Sequence, residues 1–449
     1  MASPGPLRLA FALAVAPFAF AVDELPRGQI IDRVACAKDS TQAYALYLPA
    51  GYTATHPWPV LLCFDPGANG RRGVERFAAA AEKFGWVVAG SLNSRNGPWA
   101  ANAVAINALM QDLMQRVPLD SRRVYAGGLS GGARVACQIA LNGKLIAGVI
   151  ACSAGIAGGE VPETVPFALF GTAGIEDFNY VELRRLDAAL EQHHATHRVE
   201  IFPGGHEWLP APLAEEALAW FELQAMRAGT RPRDDAFVAA QWTSRRAAVP
   251  PQPVEENFHA LKAIAADFKG LTDTAELEKQ VAALAASREV RAALKADRAL
   301  LDREEERISE LVELTNDGSI KAVRKQAAVL RAEAEAPDDS ATRRIARRVI
   351  ASATMGGREY VRSFLDAHEY STAAAWLELS VALRPDRPQT FFDLARAYAL
   401  TGDKKAALTA LQQAASAGFQ DAARLAAEPA FEKLRSEPAF LQLAAAMRP

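Results

Sequence analysis

Apolar residues recur along this chain with two different periods, and the change from one to the other divides it. From Ile30 onward short apolar runs follow one another: Ile30 to Ala35, Ala43 to Leu48, Val60 to Phe64, Trp86 to Gly90, Arg123 to Ala126, Gly148 to Cys152, Phe167 to Phe170 and Arg198 to Phe202. The central ones, such as Val60-Leu-Leu-Cys-Phe64, are apolar at every position, the pattern of a strand covered on both faces. Between the later runs, apolar residues three and four apart predict helices at Val74 to Phe84, Ala101 to Arg116, Gly132 to Leu141, Val181 to His194 and Leu213 to Met226. Two strands followed by repeated strand-helix units predict an α/β fold with a mostly parallel open sheet, which binds its ligands at the carboxyl ends of the strands.

After Arg227 the strand-like runs stop. Thr230-Arg-Pro-Arg-Asp-Asp235 and Val249-Pro-Pro-Gln-Pro253 are polar and proline-rich, and from Asn257 onward Ala, Leu, Glu, Arg and Lys dominate with helical spacing. The expected division is an α/β domain over 22–229, a helical middle region over 230–353 and an all-α repeat region over 354–449. In that last region Phe391, Leu394, Ala395, Tyr398, Gly402, Ala407, Leu411 and Ala414 fall on the small and large positions of one helical pair. Ala373, Leu377, Ser380 and Pro385 stand in the matching places one unit earlier. This 34-residue period over about Thr354 to Phe419 resembles the tetratricopeptide repeat, with Glu428 to Met447 as a cap; the resemblance implies a surface for a protein partner.

The remaining composition narrows the picture. A chain of 449 residues, 50% hydrophobic and 23% charged, has room for two or three domains, and a formal net charge of -3 gives no reason to expect nucleic acid as a partner. Leu7 to Val22 is apolar apart from Arg8 and ends in Ala19-Phe20-Ala21. This small-x-small pattern predicts a signal peptide over 1–21, and so a periplasmic or secreted protein with no membrane span after cleavage. Export permits disulfides, yet Cys36, Cys63 and Cys152 lie in predicted strands and Cys137 in a predicted helix, without C-x-x-C spacing. They read as buried core residues, with one bridge left open.

One stretch carries chemistry. In Tyr125-Ala-Gly-Gly-Leu-Ser-Gly-Gly-Ala133 the segment from Gly128 to Gly132 fits G-x-S-x-G, between a predicted strand and a predicted helix. Such a turn lifts the Ser130 hydroxyl out of the backbone and places the Gly131 N–H at a helix start, where a developing negative charge is favoured. A plain glycine-rich turn is the bland alternative.

The order of elements and this turn resemble the α/β-hydrolase fold, and more closely its dienelactone-hydrolase-like and secreted esterase branches, over about Asp32 to Arg227. The resemblance implies a triad in the order serine, acid, histidine. His206, in the loop Pro203-Gly-Gly-His-Glu-Trp208 before the last helix, takes the place of the base. The acid falls in Gly171-Thr-Ala-Gly-Ile-Glu-Asp-Phe-Asn-Tyr180 as Asp177, with Glu176 the alternative, although Asp177 would also serve as a helix N-cap. A second oxyanion-hole N–H is expected at Gly67, or else Ala68, where relatives often carry His-Gly and this chain has Asp65-Pro-Gly67. Arg95, Asn96 and Trp99 are candidate substrate contacts. His193, His194 and His197 read as a solvated surface cluster, and neither a metal nor a cofactor is expected.

These residues imply an exported serine hydrolase that cleaves carboxylic esters through an acyl-enzyme intermediate. The same triad would serve a peptidase or amidase. An interaction protein carrying an inert hydrolase-like domain is the reading from another class.

Overall fold

Eight strands form a single sheet in the order β1-β2-β4-β3-β5-β6-β7-β8 in the computed structural model, which describes residues 25–447. The expected signal peptide lies outside the described residues. In chain order the first unit contains β1 (Ile30–Ala35), β2 (Ala43–Tyr47), β3 (Trp58–Phe64), α1 (Gly70–Phe84), β4 (Val87–Ser91), α2 (Trp99–Arg116), β5 (Leu119–Leu129) and α3 (Gly131–Asn142). It continues through β6 (Ile146–Cys152), β7 (Ala168–Gly174), α4 (Tyr180–Gln192), β8 (His197–Phe202) and α5 (Ala211–Arg227). The β1–β2 and β2–β4 pairs are antiparallel and all others parallel, as the unbroken apolar runs predict.

Successive side chains of a strand point to opposite faces, and here both faces are buried. Val60, Leu62 and Phe64 pack with Leu109 of α2, Ala136 of α3 and Leu183 of α4, whereas Leu61 and Cys63 pack with Phe77 of α1 and Trp220 and Phe221 of α5. From β3 the chain moves first to β4 on one side and then, through α2, to β5 on the other. The carboxyl ends of β3 and β5 therefore flank the switch point where an open sheet leaves a crevice.

Two elements begin four residues before their apolar patterns do. α1 starts at Gly70 because glycine there lets the helix lie against β4: a Cβ would stand 2.5 Å from the Ser91 backbone nitrogen. β5 starts at Leu119 because that residue pairs with Trp58, although Asp120, Ser121, Arg122 and Arg123 give no apolar signal. All four cysteines are buried free thiols, and burial pushes the Cys137 thiol up to about 12. No helix among the described residues is long and apolar enough to cross a membrane.

The expected boundary after 229 is not where the first unit ends. That unit runs to Asp297 and includes α6 (Asp235–Ala247), α7 (Val254–Phe268), α8 (Ala275–Ala286) and the start of α9 (Arg288–Asn316). Two buried carboxylates explain the attachment. Glu222 of α5 accepts from Trp86 Nε1 and from Arg123 and Arg231, while Asp267 of α7 accepts from Trp220 Nε1, Arg245 and Arg198 of β8. Leu223 and Met226 are buried among Leu261, Ile264, Phe268 and Leu271. The proline-rich segments are bends within one packed body.

The second unit, from Arg298 on, is all helical among its described residues: the rest of α9, then α10 (Ile320–Ala334), α11 (Ala341–Asp366), α12 (Tyr370–Leu383), α13 (Pro388–Thr401), α14 (Lys404–Ser416), α15 (Ala422–Ala427), a 3₁₀ turn at Pro429–Leu434 and α16 (Pro438–Ala446). Ala395, Ala407, Leu411 and Ala414 are buried, Gly402 ends α13 in the left-handed region (φ 88°), and Tyr398 Oη donates to Glu378 at 2.6 Å. Phe431, Leu434 and Phe440 close this core. The boundary expected between 353 and 354 falls inside α11, which Arg348 pins to α9 through a buried ion pair with Glu304.

Asp267→Ala leaves Arg245 and the Trp220 N–H without their carboxylate, while Arg198 keeps Glu200 and Glu216. Loss of one partner of a buried pair costs about 3–5 kcal/mol, and the retained partners of Arg198 place the expected loss near the lower figure. Chemical denaturation followed by tryptophan fluorescence measures it.

Candidate active site

The G-x-S-x-G turn is built from backbone contacts that exclude side chains. Ser130 sits between β5 and α3 with φ 53° and ψ -120°, a left-handed conformation that a non-glycine residue holds only when its surroundings impose it. Its N–H donates to the Cys152 carbonyl (2.8 Å), and its carbonyl accepts from Arg134 N–H (3.1 Å). A Cβ on Gly128 would stand 2.6 Å from the Ala133 nitrogen, and one on Gly132 would strike the Phe64 carbonyl. Glycine at both positions lets α3 start directly over the end of β3. Gly131, the first residue of α3, presents its N–H beside Ser130.

The acid and base are joined by their own loops. Beyond the β7–β8 pair, Ile175 N–H donates to the Phe202 carbonyl (2.8 Å) and Glu176 N–H to the Gly204 carbonyl (2.9 Å). Gly174 lies so close to Gly204 and Gly205 that a Cβ would stand 2.5 Å from the Gly204 carbonyl carbon. Held this way, Asp177 Oδ1 lies 2.8 Å from His206 Nδ1 and also accepts from Asn179 N–H at 2.8 Å. The Asp177 side chain is fully buried; that of His206 is 19% exposed and stacks on Phe178 with centroids 4.0 Å apart. A buried carboxylate facing Nδ1 selects the tautomer that carries its proton there, leaving Nε2 as the acceptor. The N-cap of α4 is Asn179, so the helix-capping alternative for Asp177 does not hold.

The histidine loop then crosses back over the sheet. Ser153, at the end of β6 with φ 58°, donates its hydroxyl to the Glu207 carbonyl (3.1 Å), and its own carbonyl accepts from Asn179 Nδ2 (2.7 Å). Trp208 Nε1 donates to Asp65 at the end of β3 (3.3 Å). Since β5 lies between β3 and β6, the loop spans the end of the strand that carries Ser130. Neighbouring strands are about 4.8 Å apart, so the loop carrying His206 and the turn carrying Ser130 lie at the same carboxyl edge of the sheet. Sequence reasoning missed Ser153, Asn179 and Phe178; a serine after an apolar strand and an asparagine before a helix give no pattern that distinguishes them.

The expected second oxyanion donor is corrected. Gly67 N–H donates to its own neighbour Asp65 Oδ1 (2.8 Å), and Ala68 N–H donates to the Asp65 carbonyl (3.1 Å). Asp65 closes this turn on itself, as aspartate commonly does before Pro-Gly. The three candidate substrate contacts separate. Arg95 turns back to the Asn93 carbonyl (3.4 Å), and Trp99 opens α2 half-buried against the core. Asn96 lies against Gly131: a Cβ there would stand 2.8 Å from Asn96 Cγ. His193 and His194 follow the end of α4, and His197 of β8 faces Asp187 at 3.2 Å.

No protein-family model and no curated protein matches the chain. Among solved structures it is similar to the S-formylglutathione hydrolase apoenzyme of Staphylococcus aureus (16% identity, 39% of this chain and 87% of that one, TM-score 0.32). It is also similar to a ferulic acid esterase (16%, 42% and 95%, 0.33) and to an esterase of Pyrobaculum calidifontis (9%, 45% and 88%, 0.37).

If the Asp177–His206 pair works as drawn, Asp177→Asn lowers turnover of an activated ester by about four decades, the effect of the same change in a serine-protease triad. Glu176→Gln has a far smaller effect. Steady-state rates of the two variants, with their melting temperatures as a check on folding, decide between the neighbours.

Proposed function

We propose that this chain is an exported serine hydrolase that cleaves carboxylic esters. The observation that carries the reading is the buried Asp177 carboxylate on His206 Nδ1, in a loop that spans the strand presenting the strained Ser130. Ser130 Oγ attacks the ester carbonyl carbon while its proton passes to His206 Nε2, and the carbonyl electron pair moves to oxygen beside the Gly131 N–H. Collapse of this intermediate breaks the bond to the alcohol oxygen, which takes the proton from His206 and leaves. Water, activated by the same nitrogen, then releases the acid and restores Ser130. Asp177 holds the imidazole in place and stabilises its charged form. The similar structures described as esterases agree with ester chemistry; an amide substrate would use the same atoms.

Export to the periplasm or beyond rests on the apolar segment ending Ala19-Phe20-Ala21. The helical unit is proposed to bind a protein partner through its tetratricopeptide-like pairs, on the strength of the 34-residue period.

The expected outcome is that a fluorophosphonate probe labels the purified protein, that short p-nitrophenyl esters are hydrolysed, and that Ser130→Ala abolishes both while the circular dichroism spectrum is unchanged. Persistent turnover in that variant would sink the serine mechanism.

A further inference from the structure

We propose that the side-chain amide of Asn96 is the second oxyanion-hole donor, acting beside the Gly131 N–H; this rests on Ser130 being the nucleophile. A Cβ on Gly131 would collide with Asn96 Oδ1 and would stand 2.8 Å from Cγ and 3.4 Å from Nδ2. The Asn96 amide thus occupies the space that the missing side chain of Gly131 leaves open, at the first N–H of α3. Oxygen and nitrogen of this amide are isosteric, and a half-turn of the terminal torsion exchanges them. A developing oxyanion selects the end that donates.

The loop carrying Asn96 is held firmly enough for that task. Asn96 N–H donates to the Pro66 carbonyl (2.9 Å), and Arg95 pairs with Gly67 as an antiparallel bridge. The buried Asn102 accepts from Arg95 N–H and Ser94 Oγ, both at 2.9 Å, and donates to the Arg95 carbonyl at 3.0 Å. With the loop fixed in this way, the reorganisation needed when charge appears is confined to the turn of one terminal torsion. The backbone donors expected from the turn after β3, the Gly67 and Ala68 N–H groups, are already engaged with Asp65, which leaves the second contact to an oxyanion open to a side chain. Asn96 is itself exposed, and core packing gives no reason for an amide there.

In the attack step the carbonyl carbon gains a bond to Ser130 Oγ, and its π electron pair moves onto oxygen. Asn96 Nδ2–H and Gly131 N–H then donate to that oxygen, and the serine proton rests on His206. Loss of one such donor costs about 10²–10³ in kcat.

The test is Asn96→Ala assayed with a small p-nitrophenyl ester and with a trifluoromethyl ketone, which forms the same oxyanion on Ser130. The expected result is a fall in kcat of about 10²–10³, a similar fall in affinity for the ketone, little change in KM and an unchanged melting temperature. A residue that only shaped the loop would not weaken ketone affinity in parallel with kcat. Full kcat and full ketone affinity in Asn96→Ala, with Ser130→Ala inactive, overturn the proposal and leave the serine mechanism standing. Turnover that survives Ser130→Ala overturns both.

Discussion

Everything at the candidate site depends on backbone lying directly on backbone. Gly70 against Gly90, Gly128 against Gly132 with Gly132 in turn on the end of β3, and Gly174 against Gly204 are three places where no Cβ fits. At each a loop or helix start is drawn onto the carboxyl end of a strand. The first pair seats α1, the second forces Ser130 into its left-handed conformation, and the third joins the acid turn to the histidine loop. A local preference of Ser130 for φ 53° would be unfavourable by itself; the surrounding sheet supplies the constraint.

Around this frame polar groups set the angles. Asp65 accepts from Gly67 N–H and from Trp208 Nε1, so one buried carboxylate orders the turn after β3 and also the far end of the histidine loop. Asn179 joins the acid to the strained Ser153, its N–H on Asp177 and its side chain on the Ser153 carbonyl. Both are positioning residues: they touch no reacting atom, yet they determine where the imidazole can stand.

Much of this was legible in the sequence where a residue type and its neighbours carry one meaning. The strands β3, β4 and β6 are unbroken apolar runs, and Ser130, Asp177 and His206 each follow a predicted strand. What escaped had no local signal. The N–H of Gly67 is taken by a side chain two residues away, which a motif written only in residue names does not reveal. The Pro-rich stretches after Arg227 look like a linker because proline and charge mark bends equally well within a domain. The partners of Asp267, and the packing of Leu223 and Met226 against Val238 and Leu261, show that α6 and α7 belong to the first unit.

That attachment bears on the histidine. β8 is an edge strand, paired on one side only, and an edge is held less firmly than a strand with two neighbours. Arg198 near its start is fastened to Asp267 of α7 and to Glu216 of α5, and His206 follows four residues beyond its end. Helices that contribute no reacting atom thereby act as the tensioning line of the strand that delivers the base, and because the fastening is largely buried, salt will slacken it little.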